Sequence, residues 1–213
     1  DLASPQFPEP HRPVAPIVHA RFSNEDARDG AAEAEKVMAL THVAPGMTVA
    51  DIGAGEGYYT VRLAPIVGAN GRVLAQDIVP AIRDTLADRV ERERLTNVSV
   101  KLGLPDDPML PPLSFDRIFM VHMYHEIEQP YAFLWHMRPA LKRGGSVVVV
   151  DADRPTARHG TPPRLLVCEF AAVGYRLVRF EDLPAADSYL AQFVADGERP
   201  APGAIRPCAP MSG

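Results

Sequence analysis

Four consecutive valines, Val147 to Val150, follow Gly144-Gly145-Ser146 and run into Asp151. A strand apolar at every position has to be covered on both faces, which is the environment of a central strand in a parallel sheet. Parallel strands need long crossover connections, and the rest of the chain alternates in the way this requires. Residues 47–52, 72–78, 98–102 and 115–121 read as four earlier strands. Residues 58–67 and 80–94 read as helices between them, the second opened by Pro80, whose missing N–H is no loss in a first turn. A helix is expected over 131–142, with Pro139 kinking or shortening its last turn. Residues 164–173 supply another helix, and 175–180 and 188–195 a last pair of strands. Five strands alternating with helices, then a strand pair, imply an open, mostly parallel α/β sheet covered by helices.

Composition fits that frame and narrows the function. Of 213 residues, 46% are apolar and 23% charged, which excludes wholesale disorder. No apolar run approaches the ~20 residues of a membrane helix, so a soluble protein is expected. A formal net charge of −5 disfavours nucleic acid as partner. Two cysteines, Cys168 and Cys208, are too few for a disulfide scaffold or a cysteine-built zinc site, and Cys168 on its apolar helix reads as a small buried hydrophobe.

The 22 prolines are about twice the usual share of roughly 5%. They cluster near the start, near the end and between Pro105 and Pro112. The terminal clusters read as extended arms over 1–22 and 196–213, flanking one domain over 23–195. The first arm is free to fold over the mouth of a site. Ser23 or Asn24 is a candidate helix cap, followed by Glu25 and Asp26 in the first turn and an apolar side from Val37, Met38 and Leu40.

In open α/β sheets ligands bind beyond the carboxyl ends of the strands. The first strand ends in Asp51-Ile52-Gly53-Ala54-Gly55-Glu56-Gly57-Tyr58. Gly53, Gly55 and Gly57 remove side chains where the backbone turns into a helix and a ligand must come close. A dinucleotide fingerprint would place its third glycine at Tyr58, and no Gly-Lys-Ser/Thr follows to make a P-loop. The second strand reaches Asp77, whose carboxylate can accept from both hydroxyls of a ribose. Together the two features point to a nucleoside ligand that is poor in phosphate.

With these segments in hand, the chain resembles the class I S-adenosylmethionine-dependent methyltransferases. Residues 49–57 are similar to the family's glycine-rich motif, Asp77 to its ribose acid, 115–121 to its fourth strand and 141–145 to the turn before its fifth. More narrowly, Gly103, Asp107-Pro108, His125-Glu126-Ile127 and Leu183-Pro184 resemble an uncharacterised bacterial subgroup. The resemblance implies a Rossmann-like doubly wound sheet of seven strands, order 3-2-1-4-5-7-6, with the last strand antiparallel. It implies S-adenosylmethionine as cofactor, S-adenosylhomocysteine as product and a small-molecule or medium-sized acceptor. It places the cofactor on Asp51, Gly53, Gly55, Gly57, Tyr58, Asp77, Ile78, Leu104 and His122, with Asp51 orienting the ammonium and Ile78 packing on adenine. Leu104 stands where many relatives carry an aspartate, which leaves the adenine edge to backbone groups, Asp106 or Asp107.

The fourth strand ends in His122-Met123-Tyr124-His125-Glu126, the richest polar cluster in the chain. One reading makes His125 a general base oriented by Glu126; another leaves both histidines as hydrogen-bonded scaffold. The order His-x-x-His-Glu matches neither common zinc-enzyme motif, so no metal is expected. Asp153 and Arg154 are further candidates for the acceptor rim, while Phe133 and Trp135 read as core. The alternatives to methyl transfer are a non-catalytic module that binds the same nucleoside and another transferase that uses it. An intracellular donor implies a cytoplasmic protein; a chain that starts at Asp1 also leaves room for export after leader removal.

Overall fold

The valine run lies within a strand whose residues from Gly145 to Asp151 are all buried. The computed structural model describes residues 6–17 and 25–210; Ser23 and Asn24 lie outside them. In chain order the elements are α1 (Glu25–Gly30), α2 (Glu33–Leu40), β1 (Thr48–Ile52), α3 (Tyr58–Val67), β2 (Arg72–Asp77), α4 (Pro80–Arg92) and β3 (Val98–Leu102). There follow β4 (Phe115–Val121), α5 (Pro130–Met137), β5 (Leu141–Asp151), α6 (Pro163–Ala172), β6 (Tyr175–Leu183) and β7 (Ser188–Ala195). They form one seven-stranded sheet in the order β3-β2-β1-β4-β5-β7-β6. The first five strands run parallel, and β7 is antiparallel to both β5 and β6. Two apolar clusters cover its faces, one around Tyr131, Leu134 and Phe170 and the other around Val37, Tyr59 and Leu63.

Three departures from the sequence reading each have a local reason. The helix expected to reach Lys142 ends at Met137, because Pro139 diverts residues 138–140 into a single 3-10 turn. Residues 141–145 then join β5, with a register shift against β4 between Phe115 and Arg117. The amino-terminal helical stretch is broken in two at Ala32, which takes a left-handed conformation (φ 52°).

Both proline-rich ends that are described lie on the domain. Phe7 packs edge-on against Trp135, with ring centroids 5.6 Å apart. Arg12 donates from Nε to Glu169 Oε1 at 2.8 Å, a pair almost wholly withdrawn from solvent. Ala15 N donates to the His125 carbonyl at 3.3 Å. At the other end, Arg199 stacks on Trp135, whose indole N–H donates to the Pro200 carbonyl.

Cys168 and Cys208 form a disulfide, Cα–Cα 6.1 Å, which corrects the reading of Cys168 as a lone buried hydrophobe. Closing a loop with a sequence separation of 40 residues contributes about 4 kcal/mol in the chain-entropy model. No helix among the described residues is long and apolar enough to cross a membrane.

Candidate functional site

The carboxyl ends of β1, β2 and β4 open into one cleft with a volume of about 670 Å³, in the range of small-molecule sites. Its floor is main chain. Gly53 and Gly55 both have positive φ, 65° and 57°, in the region that suits glycine. A side chain at Gly53 would press on Met123, with Cγ 3.0 Å from the added carbon. Among the described residues, no atom lies within 4 Å of a Cβ built at Gly55.

Asp77 ties this turn to the next strand. Its Oδ2 accepts from Gly55 N at 3.1 Å and its Oδ1 from Val79 N at 3.0 Å. These bonds hold the carboxylate rigid and leave further lone pairs for a ligand. Gln76 lines the cleft beside it, with a buried Nε2 that has no hydrogen-bond partner among the described residues. Gly103 makes room for that amide, since a Cβ there would fall 1.6 Å from Nε2.

Asp51, at the end of β1, accepts from Thr60 Oγ1 at 2.7 Å. Burial pushes its pKa up to about 6, against the opposing pull of Thr60 and the Arg28 charge. The Arg28 guanidinium lies 4.0 Å over the Tyr58 ring and forms part of the cleft wall.

The opposite wall is a network of side chains. Buried Glu33 accepts from Tyr59 Oη at 2.9 Å and Ser188 Oγ at 2.8 Å, and its Oε2 lies 2.8 Å from His122 Nε2. Burial alone would raise its pKa; the hydrogen bond and charge of His122, with Ser188, outweigh that and bring it down to about 2. His122 leaves β4 in a left-handed conformation (φ 51°), which aims its ring back at Glu33. Behind it, His125 Nδ1 sits 3.0 Å from both carboxylate oxygens of Asp151, the last residue of β5. Asp151 also accepts from Ala152 N and from Thr161 Oγ1, at 2.9 and 2.7 Å.

Of the expected cofactor residues, Asp51, Gly53, Gly55, Tyr58, Asp77, Ile78 and His122 line the cleft. Gly57 and Leu104 are not among its lining residues. Gly57 sits under α4, where a Cβ would meet Leu86 at 2.6 Å. Leu104 is largely exposed in a tight bridge to Asp107, and Pro105 lines the cleft in its place. Asp107 spends a carboxylate oxygen on Met109 N. Of the acceptor candidates, Glu126 lines the cleft, whereas His125 is 0% exposed and lies behind it. Asp153 is exposed, and Arg154 pairs with Asp187 away from the cleft.

Sequence reasoning missed Arg28 and Gln76 in the lining and Glu33 and Asp151 behind it, while Ala15, Pro16 and Ile17 of the first arm, the segment read as free to fold over a site, complete the cleft lining. Asp151 had a readable signal, an acid closing an all-valine strand at its carboxyl end. Arg28 and Glu33 had none, because an acidic and basic helix start looks solvated whichever way it faces.

Residues 49–145 match the methyltransferase domain family. A protein-L-isoaspartate O-methyltransferase of Methanococcoides burtonii is 29% identical over 115 residues, covering 52% of this chain and 51% of that one. A demethylmenaquinone methyltransferase of Tropheryma whipplei is 31% identical over 160 residues, covering 72% and 61%. The chain thus spans about half the length of the curated relatives it matches. Among solved structures, a SAM-dependent methyltransferase from Aquifex aeolicus superposes with a TM-score of 0.70 at 24% identity, covering 76% of this chain and 88% of that one.

Proposed function

We propose that the protein, whose residues 49–145 match the methyltransferase domain family, transfers a methyl group from S-adenosylmethionine to a small or medium-sized acceptor. The observation that carries the reading is the rigid Asp77 carboxylate beside a turn stripped of side chains at Gly53 and Gly55. The residues present fit the donor. Asp77 accepts from ribose hydroxyls, Gln76 Nε2 offers an unused buried donor, and the glycines admit a ligand against the main chain. Asp51, ionised above its pKa of about 6, attracts the ammonium of the methionine portion.

When bound, the donor supplies a methyl group on a positively charged sulfur that is already activated for displacement. What the chain has to add is alignment and exclusion of water. Ala15, Pro16 and Ile17 cover one side of the cleft, and Ile127 and Phe133 give it apolar surface. Glu56, Glu126 and Glu128 also line it, so a neutral or cationic acceptor suits it better than an anion. Glu126 is the group placed to receive an acceptor proton, with His125 set behind it by Asp151.

The Cys168–Cys208 disulfide favours an oxidising compartment over the cytoplasm expected from the donor. Titration calorimetry with S-adenosylmethionine tests the donor site. Asp77→Ala is expected to weaken binding roughly 100-fold, the loss of charged hydrogen bonds; unchanged affinity would remove the ribose assignment. A screen for labelled methyl transfer across small neutral and cationic acceptors tests turnover. Tight donor binding without transfer to any acceptor would instead identify a binding module.

A further inference from the structure

The turn that follows β4 and the loop that follows β5 bring three potential metal ligands together, and nothing in the methyl-transfer reading uses them as a group. His125, Glu126 and His159 each offer one ligand atom, and these atoms all lie within 4.8 Å of one another. His125 Nε2 and Glu126 Oε1 are 3.7 Å apart. The His159 ring stands edge-on to that of His125, with centroids 5.6 Å apart.

Two further features give the cluster the character of a built site. His125 is 0% exposed, and its Nδ1 is held by Asp151, which in turn accepts from Ala152 N and Thr161 Oγ1. A carboxylate on the far nitrogen of an imidazole fixes its tautomer, directs Nε2 outward and raises its basicity, the arrangement found behind metal-bound histidines. The loop carrying His159 is folded back sharply. Thr161 N donates to the Ala152 carbonyl at 2.9 Å, and a Cβ at Gly160 would lie 2.5 Å from that same oxygen. His159 itself is left-handed (φ 58°), a conformation that costs energy in a residue other than glycine and turns its ring towards His125.

We propose that His125, Glu126 and His159 bind a divalent cation of the zinc class, with Asp151 as the positioning residue behind His125. Two imidazoles and one carboxylate are a borderline donor set that suits zinc, and three protein ligands leave a further position open. Donor atoms around tetrahedral zinc lie ~3.4 Å apart, so closure from the observed spacing takes a shift of about 1 Å in the His159 side chain. Glu126 belongs to both the cluster and the cleft wall, so the cation sits at the acceptor edge of the cleft. The sequence hid this site because the third ligand comes from a different loop. Within His122-Met123-Tyr124-His125-Glu126 only two of the three ligands are present, and His122 is turned to Glu33 instead.

The proposal is independent of methyl transfer, and its test reads metal directly. The full chain, stripped with a chelator and repurified, is titrated with Zn²⁺ alone by calorimetry. A parallel titration with Co²⁺ alone is followed by visible absorption, where tetrahedral coordination gives intense bands. One equivalent of Zn²⁺ is expected to bind the native chain. His159→Asn keeps a residue that tolerates left-handed backbone and removes the imidazole. It is expected to lose roughly 100-fold or more in affinity, and Asp151→Asn about 10- to 100-fold. His42→Asn, at an exposed left-handed histidine outside the cleft lining, is the control and should match the native chain. Circular dichroism and S-adenosylmethionine binding separate loss of metal from loss of fold or of the donor site. Equal Zn²⁺ affinity in the native chain and His159→Asn, or no saturable binding by a folded native chain, would overturn the site.

Discussion

On the proposed donor side of the cleft the lining is main chain. Gly53 and Gly55 lie within a few residues of each other, and Asp77 closes the turn with two backbone N–H groups. On the proposed acceptor side the lining is side chains, His122 and Glu126 from the end of β4, and behind them stand Glu33 from α2, Asp151 from β5 and His159 from the loop beyond it. The first wall depends on backbone conformation, which neighbouring residues dictate. The second depends on the sheet order, which brings β4 beside β5 and so sets their ends together. The two walls should therefore fail differently when altered.

The largest expected effect is on the side-chain wall. Glu33→Gln removes the charge on which Tyr59, His122 and Ser188 converge, and should lower unfolding free energy by about 3–5 kcal/mol, the usual cost of breaking a buried pair. Urea denaturation at neutral pH measures it; a loss below about 1 kcal/mol would mean the wall is not interlocked. The pH dependence has a definite sign. The folded-state pKa, about 2, lies below the ordinary 4.5, so the Glu33 contribution is complete above pH 4.5 and fades as pH falls towards 2.

A smaller effect probes the floor through Asp51. If its carboxylate holds the donor's ammonium, affinity should be flat above pH 6 and fall about tenfold per unit below it. Calorimetry at several pH values reads this, and Asp51→Asn should bind weakly with no such slope. The groups facing Asp51 are Thr60, Arg28, Asp77 and Tyr59, and a slope that survives in Asp51→Asn would pass the assignment to one of them.

The smallest effect separates conformation from space. Gly55→Ala meets no atom of the described residues within 4 Å, so its cost should be the left-handed backbone alone, about 1 kcal/mol. Gly53→Ala must also displace Met123, and thermal denaturation should show the larger loss there. Equal losses would make Met123 a passive neighbour.

The same contrast explains what could be read beforehand. The open, mostly parallel sheet, most strand limits and the turn from Asp51 to Tyr58 follow from local alternation and from glycine, whose positions constrain the backbone directly, whereas the strand order came from the family resemblance. The break at Ala32 and the strand character of residues 141–145 were not legible, because packing against the sheet overrides a weak helical pattern there. At the site, Asp77 stood out by its place at a strand end. Glu33 and His159 did not, since a charged helix start and a histidine in a proline-bounded loop acquire a role only from partners distant in the chain. His125 was visible as a polar residue just beyond β4, yet its burial behind Glu126 depends on Asp151 and on the arm that crosses above it.

The disulfide that joins Cys168 to Cys208 also decides how the molecule carries load. Tension applied to the chain beyond Cys208 passes through the sulfur bridge into α6 and leaves the segment between them slack. That segment contains β6 and β7, the hairpin at the sheet edge. A pull that would otherwise peel β7 from β5 is delivered to the helical layer instead, so the edge hairpin is mechanically insulated from whatever follows it.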